Sequence, residues 1–145
     1  MTIHARITEA LEIENQQSPQ TLPVLTLAYI GDTVYDLYVR TKLLHELDAD
    51  VHRLHLCAAK LVCARGQAEA YFRIESLLNA EESAIFRRGR NAHSGTVPKN
   101  ADVTKYRIAT GLETLLGYLY LIGADERLDE LMRKALCLTA VMNEK

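Results

Sequence analysis

Apolar residues recur at intervals of three and four along most of this chain, the spacing that lines one face of an α-helix. No stretch alternates apolar and polar residues as a half-buried strand would, and no repeat or low-complexity tract interrupts the pattern. Ile7, Leu11 and Ile13 mark a first short helix over residues 4 to 14, and Asn15 to Gln20, with Ser18 and Pro19, reads as a linker. Thr21 is placed to cap a second helix and Pro23 suits its first turn, so that helix runs from near residue 22 to about His45, with Leu25, Tyr29, Val34, Leu37 and Leu44 inward. Asp48 or Asp50 caps a third, from about Val51 to Ile74, on which Leu54, Cys57, Ala58, Leu61, Val62 and Ala68 keep the helical period and Gly66 is the one breaker. Asn79 followed by Glu82 has the spacing of a capping box and opens a fourth helix that fades near Gly89. Asp102 or Thr104 caps a fifth, from Val103 to Leu121, which Gly123 ends. A last amphipathic helix follows in ADERLDELMRKALCLTAVMN, acids first and bases later, as the helix dipole favours. The expectation is an all-α fold of six or seven helices in a single domain spanning residues 1 to 145.

Composition agrees with that architecture. A chain of 145 residues, 48% of them apolar, can bury roughly 70% of its unfolded surface in one core. The amphipathic, charged N-terminus does not read as a signal peptide, and no apolar run approaches the roughly 20 residues that cross a bilayer, so a soluble cytoplasmic protein is expected, with no membrane partner. The three cysteines, Cys57, Cys63 and Cys137, are odd in number and form no CxxC pair, which argues against a disulfide framework or zinc knuckle and for reduced core thiols.

Charge changes the picture once it is divided along the chain. Residues 87 to 107 carry Arg87, Arg88, Arg90, Lys99, Lys105 and Arg107 against Asp102 alone, a local charge of +5, while the remainder, with 11 basic and 18 acidic residues, is at −7. The stretch RRGRNAHSGTVPKN within it has no periodic apolar face. Guanidinium groups fork onto phosphates, and Gly, Ser, Asn and Lys make small polar contacts to a backbone, so Arg87, Arg88, Arg90, Asn91, Lys99 and Lys105 are candidate phosphate contacts to a polyanionic partner. His93 either joins them or is simply exposed.

Two places invite chemistry. In LAYIGDTVYDLYVR, residues 27 to 40, Gly31 stands inside a strong helical pattern at a propensity cost of about 1 kcal/mol, which close backbone approach would explain. Asp32 follows it, and Asp36 lies one turn further on the same face. Glu113, in the almost wholly apolar IATGLETLLGYLYLIG, is at an edge, paired with a base, protonated, or holding a cation, because an unpaired buried carboxylate costs several kcal/mol. Gly111 and Gly117 would admit another helix, and the glycine-bearing helix around Gly31 is the obvious one, which would bring Asp32 and Glu113 together. Paired carboxylates on crossed helices suit Mg²⁺, a hard cation able to activate a water against a phosphodiester. His45, His52, His55 and Cys57 lack the second ligand pair that a zinc site needs.

LAYIGDTVYDLYVR, RRGRNAHSGTVPKNADVTKYRIATGLETLLGYLYL and the helical order between them resemble the ribonuclease III catalytic domain, in particular the short Mini-ribonuclease III branch of that family. The resemblance covers roughly residues 20 to 135. It implies an all-helical endonuclease that dimerises across its signature helix, binds double-stranded RNA and cuts it with Mg²⁺, for which Mn²⁺ can substitute, leaving 5′-phosphate ends. The signature Gly-Asp pair corresponds to Gly31-Asp32, and the family's C-terminal metal-binding glutamate to Glu113. Longer members carry further acids where this chain has Leu25, Ala28 and Thr110, so Asp32 and Glu113 are the expected catalytic and metal-binding residues, with Asp36 or Asp102 as possible additional acids. The short branch has no separate double-stranded-RNA-binding domain, which passes more of the RNA holding to the basic segment. Resemblance alone further implies maturation of large-subunit (23S) precursor ribosomal RNA, with a ribosomal protein that presents the substrate as a further candidate partner. The alternative is a helical homodimer that binds structured RNA without cutting it.

Overall fold

A computed structural model describes residues 1–92 and 102–137. Among them the chain forms seven α-helices and no strand: α1 (Ile3–Ala10), α2 (Val24–Glu46), α3 (Val51–Val62), α4 (Ala64–Ile74), α5 (Ala80–Arg90), α6 (Val103–Leu121) and α7 (Asp125–Ala135). No helix of the described residues is long and apolar enough to cross a membrane.

α6 is the axis of the fold. Its apolar run is hydrophobic on nearly every side because it packs against α2, α4, α5 and α7 at once, and Leu112, Leu115 and Leu116 lose all solvent exposure there. α2 lies along it at a separation set by two glycines. A Cβ on Gly31 would stand 1.7 Å from the carbonyl oxygen of Glu113, and one on Gly117 would stand 2.0 Å from the carbonyl oxygen of Leu27. Backbone therefore meets backbone where α2 and α6 cross, as the glycines in two otherwise apolar helices suggested. α5 approaches another face of α6 in the same manner, Gly111 lying against the Phe86 ring.

Local signals set most helix ends. Asp50 accepts a hydrogen bond from the Arg53 amide at the start of α3, and Asp102 accepts one from the Lys105 amide at the start of α6. At α5 the capping box is complete: Asn79 Oδ1 accepts from the Glu82 amide at 2.8 Å, and the Asn79 amide donates to Glu82 Oε1 at 3.0 Å. Glu82 is then fixed from outside the helix by a fork from Arg127, both contacts 2.7 Å, and this holds its buried carboxyl below the usual carboxylate range. Gly123, at φ +76°, closes α6 in the left-handed conformation that favours glycine.

Other expectations are corrected. The single helix read from Val51 to Ile74 is two, and the break falls at Cys63, not Gly66. Cys63 adopts an extended conformation and its Sγ accepts from the Gly66 amide, so it caps α4, while Gly66 lets α4 fold back on the end of α3. Cys57 is a buried thiol, whereas Cys63 and Cys137 are exposed. The N-cap of α2 is Pro23, with no side-chain cap from Thr21. On α2 itself Val34 faces the core, but Leu25, Tyr29, Leu37 and Leu44 are solvent-facing; the buried face is built from Leu27, Ala28, Gly31, Val34, Tyr35, Val39 and Leu43. Two apolar stripes run along this helix, and only one is used inside the chain.

Candidate active site

The crossing of α2 and α6 brings Asp32 and Glu113 together. Asp32 follows Gly31 and is exposed; Glu113, whose carbonyl oxygen meets Gly31, extends its half-buried side chain to the same place. The Glu113 carboxyl lies close to that of Asp32, within reach of a hydrogen bond when one of the two acids carries a proton. Burial, then the negative charge of Asp32, then this hydrogen bond push the Glu113 pKa up to about 8. Of the four situations open to Glu113 in the sequence, the structure favours the protonated one: a half-buried acid beside another acid, with its pKa raised.

Neither additional acid joins them. Asp36 receives the Arg40 Nε–H at 3.0 and 2.9 Å on its two oxygens, an i,i+4 ion pair along α2. Asp102 caps α6, eleven positions before Glu113, about 16 Å along the axis. Where longer members of the resembled family carry acids, Leu25 is exposed, Ala28 is buried, and the Thr110 hydroxyl donates to the Tyr106 carbonyl oxygen. Among the described residues no third carboxylate, histidine or cysteine completes a metal-ligating group, and His45, His52 and His55 are scattered over exposed surface.

The chemistry of the pair nevertheless fits a divalent cation. Two carboxylates held at a rigid crossing, one of them open to solvent, are mutually repulsive without positive charge between them, and in the free protein a proton supplies it. A hard cation with oxygen ligands can take the same position and keep several of its waters.

The basic segment starts where α5 ends. Arg87 and Arg88 are exposed in the last turn, and the Arg90 guanidinium lies 5.9 Å over the Phe86 ring with its Nε–H on Asn91 Oδ1. Lys105 and Arg107 stand in the first turns of α6, and Arg107 lines one pocket with Arg90 and Asn91. Arg40, Lys42, Arg65 and Arg127 each have a carboxylate partner, whereas these five side chains have none among the described residues. His93 and Lys99 lie outside the described residues.

One residue near the site was misplaced by the sequence reading. Tyr29, counted there as a core position, stands 78% exposed one helical turn before Asp32. Periodicity reports that a stripe is apolar, not which of two stripes the rest of the chain covers.

Residues 25–123, a span that includes both carboxylates and the basic segment, match the sequence profile described as Ribonuclease III domain. The chain belongs to the ribonuclease III family. It is 48% identical over 124 residues to a Mini-ribonuclease 3 of Thermoanaerobacter sp. (strain X514), covering 86% of this chain and 87% of that one. A Mini-ribonuclease 3 of Staphylococcus aureus (strain NCTC 8325 / PS 47) is 39% identical over 137 residues, 92% of this chain and 100% of its own. A crystal structure of a Fusobacterium nucleatum protein superposes with a TM-score of 0.72 at 26% identity, over 81% of this chain and 94% of that one. These relatives place the chain in the short, Mini-ribonuclease III branch, and it is an endoribonuclease with the all-helical fold of that family.

Proposed function

We propose that this endoribonuclease cuts double-stranded RNA with Mg²⁺ held by Asp32 and Glu113, leaving 5′-phosphate ends, and that Mn²⁺ can substitute. The observation that carries the reading is the close pair of carboxyl groups, Asp32 and Glu113, that the α2–α6 crossing brings together. Bound there, the ion supplies positive charge that acidifies a water and neutralises the attacked phosphate. Asp32, open to solvent, is the carboxylate that faces the RNA backbone, and Glu113 would have to be ionised to hold a divalent cation beside it. Gly31 and Gly117 allow the close approach that brings the two acids together, because a Cβ at either position would meet the backbone of the other helix. Arg87, Arg88, Arg90, Asn91, Lys99 and Lys105 hold the phosphates; A-form RNA, recognised through shape, phosphate and 2′-hydroxyl groups, suits such a basic helix end.

The protein works as a homodimer across α2. Tyr29, Leu37 and Leu44, 78%, 63% and 62% exposed on one helix with Leu25 beside them, form an apolar surface that a second copy can cover. The substrate is precursor large-subunit (23S) ribosomal RNA in the cytoplasm, with a ribosomal protein as the partner that presents it.

Purified protein incubated with long double-stranded RNA and Mg²⁺, beside Asp32→Asn and Glu113→Gln, tests the mechanism. Wild type should cleave, and each variant should lose about 10²-fold or more in rate, as when one charged group is removed from a preorganised site. Absence of cleavage by wild type, or undiminished cleavage by both variants, overturns it.

A further inference from the structure

A pocket of about 330 Å³ opens between α4, the end of α5 and the start of α6, away from the α2 face of α6. Its wall is aromatic: Tyr71 and Phe86 stack at 3.8 Å, nearly parallel, and the neighbouring Phe72 ring stands 58% exposed. Its rim is cationic: Arg90 and Arg107 line it, neither with a carboxylate partner among the described residues, and Asn91 adds an amide able to donate and accept. Glu75 is the one carboxylate on this wall.

A paired, stacked base cannot lie in such a pocket, because its faces are covered by its neighbours in the helix and its major-groove edge lies in a deep, narrow groove. An unstacked base can: every base has a π-face to lay on an aromatic ring, a guanidinium stacks on the other side or holds the phosphate, and the volume is that of a small-ligand site. We propose that this pocket binds one unstacked nucleoside monophosphate unit, the base on Phe72 beside the Tyr71–Phe86 stack and the phosphate on Arg90 and Arg107. The unit belongs to a bulge or overhang of the RNA, a source that rests on the RNA-binding reading above; a free nucleotide carries the same chemistry. The pocket thereby adds selection of imperfect duplexes to a surface that otherwise contacts backbone.

The test is binding in EDTA, so that RNA stays intact, to two short RNA duplexes alike except that one carries a single bulged 2-aminopurine nucleotide. Wild type should bind the bulged duplex about tenfold more tightly than the paired one, with altered 2-aminopurine fluorescence. Phe72→Ala, at an exposed position, and Arg107→Ala should each abolish that preference and the fluorescence change. Adenosine 5′-monophosphate is titrated in parallel: a fluorescence or chemical-shift response that needs Phe72, without any bulge preference, assigns the pocket to free nucleotides and overturns the RNA source. Equal affinity for both duplexes and no response to the free nucleotide overturn the pocket while leaving duplex binding in place. Failure to bind either duplex overturns the RNA-binding reading along with it.

Discussion

Gly31→Ala adds one methyl group, and two opposing physical arguments give it opposite signs. Helix propensity alone favours alanine over glycine by about 1 kcal/mol in a helix interior, so a freely exposed Gly31 would make the variant more stable. The tertiary contact reverses this. The new Cβ would lie 1.7 Å from the Glu113 carbonyl oxygen, 2.6 Å from its carbon and 2.9 Å from the Gly117 nitrogen, whereas ordinary contact begins at 3.4 Å. All three obstacles are backbone atoms of a central helix, so no side-chain rotation relieves them, and α2 must move off α6 by more than an ångström. That movement loosens the contacts of Leu27, Tyr35, Leu112 and Leu116, which are at most 2% exposed. Overpacking in a core usually costs about 1–3 kcal/mol, and a backbone collision belongs at or above the top of that range. After subtraction of the propensity gain, Gly31→Ala should destabilise the fold by about 2 kcal/mol or more. Its thermal midpoint should fall by about 6 °C or more, read by circular dichroism with urea unfolding as the check. Cleavage should fall further than stability does, since the displaced backbone is that of Glu113 itself. Gly117→Ala should behave alike, and the double variant should lose less than the sum, because one separation of the helices relieves both collisions. A Gly31→Ala protein with wild-type or higher stability and wild-type cleavage would refute the close-crossing argument.

Glu113 makes stability pH-dependent in a definite sense. Its folded pKa, about 8, lies above the model-compound value of 4.5, so between the two the folded state keeps a proton that the unfolded state releases. The contribution is complete below about pH 4.5 and is lost as pH rises towards 8, at up to about 1.4 kcal/mol per pH unit. In EDTA, Glu113→Gln should remove that slope from the denaturation free energy; an unchanged slope contradicts the raised Glu113 pKa. Arg87→Ala with Arg88→Ala should weaken RNA binding and flatten its dependence on log salt by about 2, with an unaltered thermal midpoint. Unchanged affinity at moderate salt removes these residues from the RNA surface. Tyr29→Glu should shift sedimentation from dimer to monomer while the helical content stays, and an unaltered dimer excludes this face of α2 from the interface.

Much of the fold is legible in the sequence because the interactions that decide it are short-ranged. The Asn79–Glu82 capping box, the Asp50 and Asp102 caps and the Gly123 terminus each involve residues within about one helical turn, and each is found where the residue types placed it. The α3–α4 break was less legible: Cys63 is an uncommon cap, and it acts as one because α4 turns back on the α3 end, a tertiary event. The outward stripe of α2 was misassigned to the core for a related reason. Leu25, Tyr29, Leu37 and Leu44 have the composition of buried positions, and only the packing of α6 against the opposite face leaves them in solvent.

By itself, then, the sequence determined that the chain is helical, where most helices begin and end, that an acid accompanies a glycine on the α2 stretch, and that basic charge gathers between α5 and α6. These follow from periodicity, capping and composition, all properties of neighbours in the chain. The tertiary structure alone decided that Asp32 and Glu113 stand side by side, that Asp36 is taken by Arg40 and Asp102 by its own helix end, and which face of α2 remains open. The reason is geometric: Gly31 and Gly117 bring two distant helices to backbone contact, and only that contact sets how far apart the two acids stand and how much water reaches them.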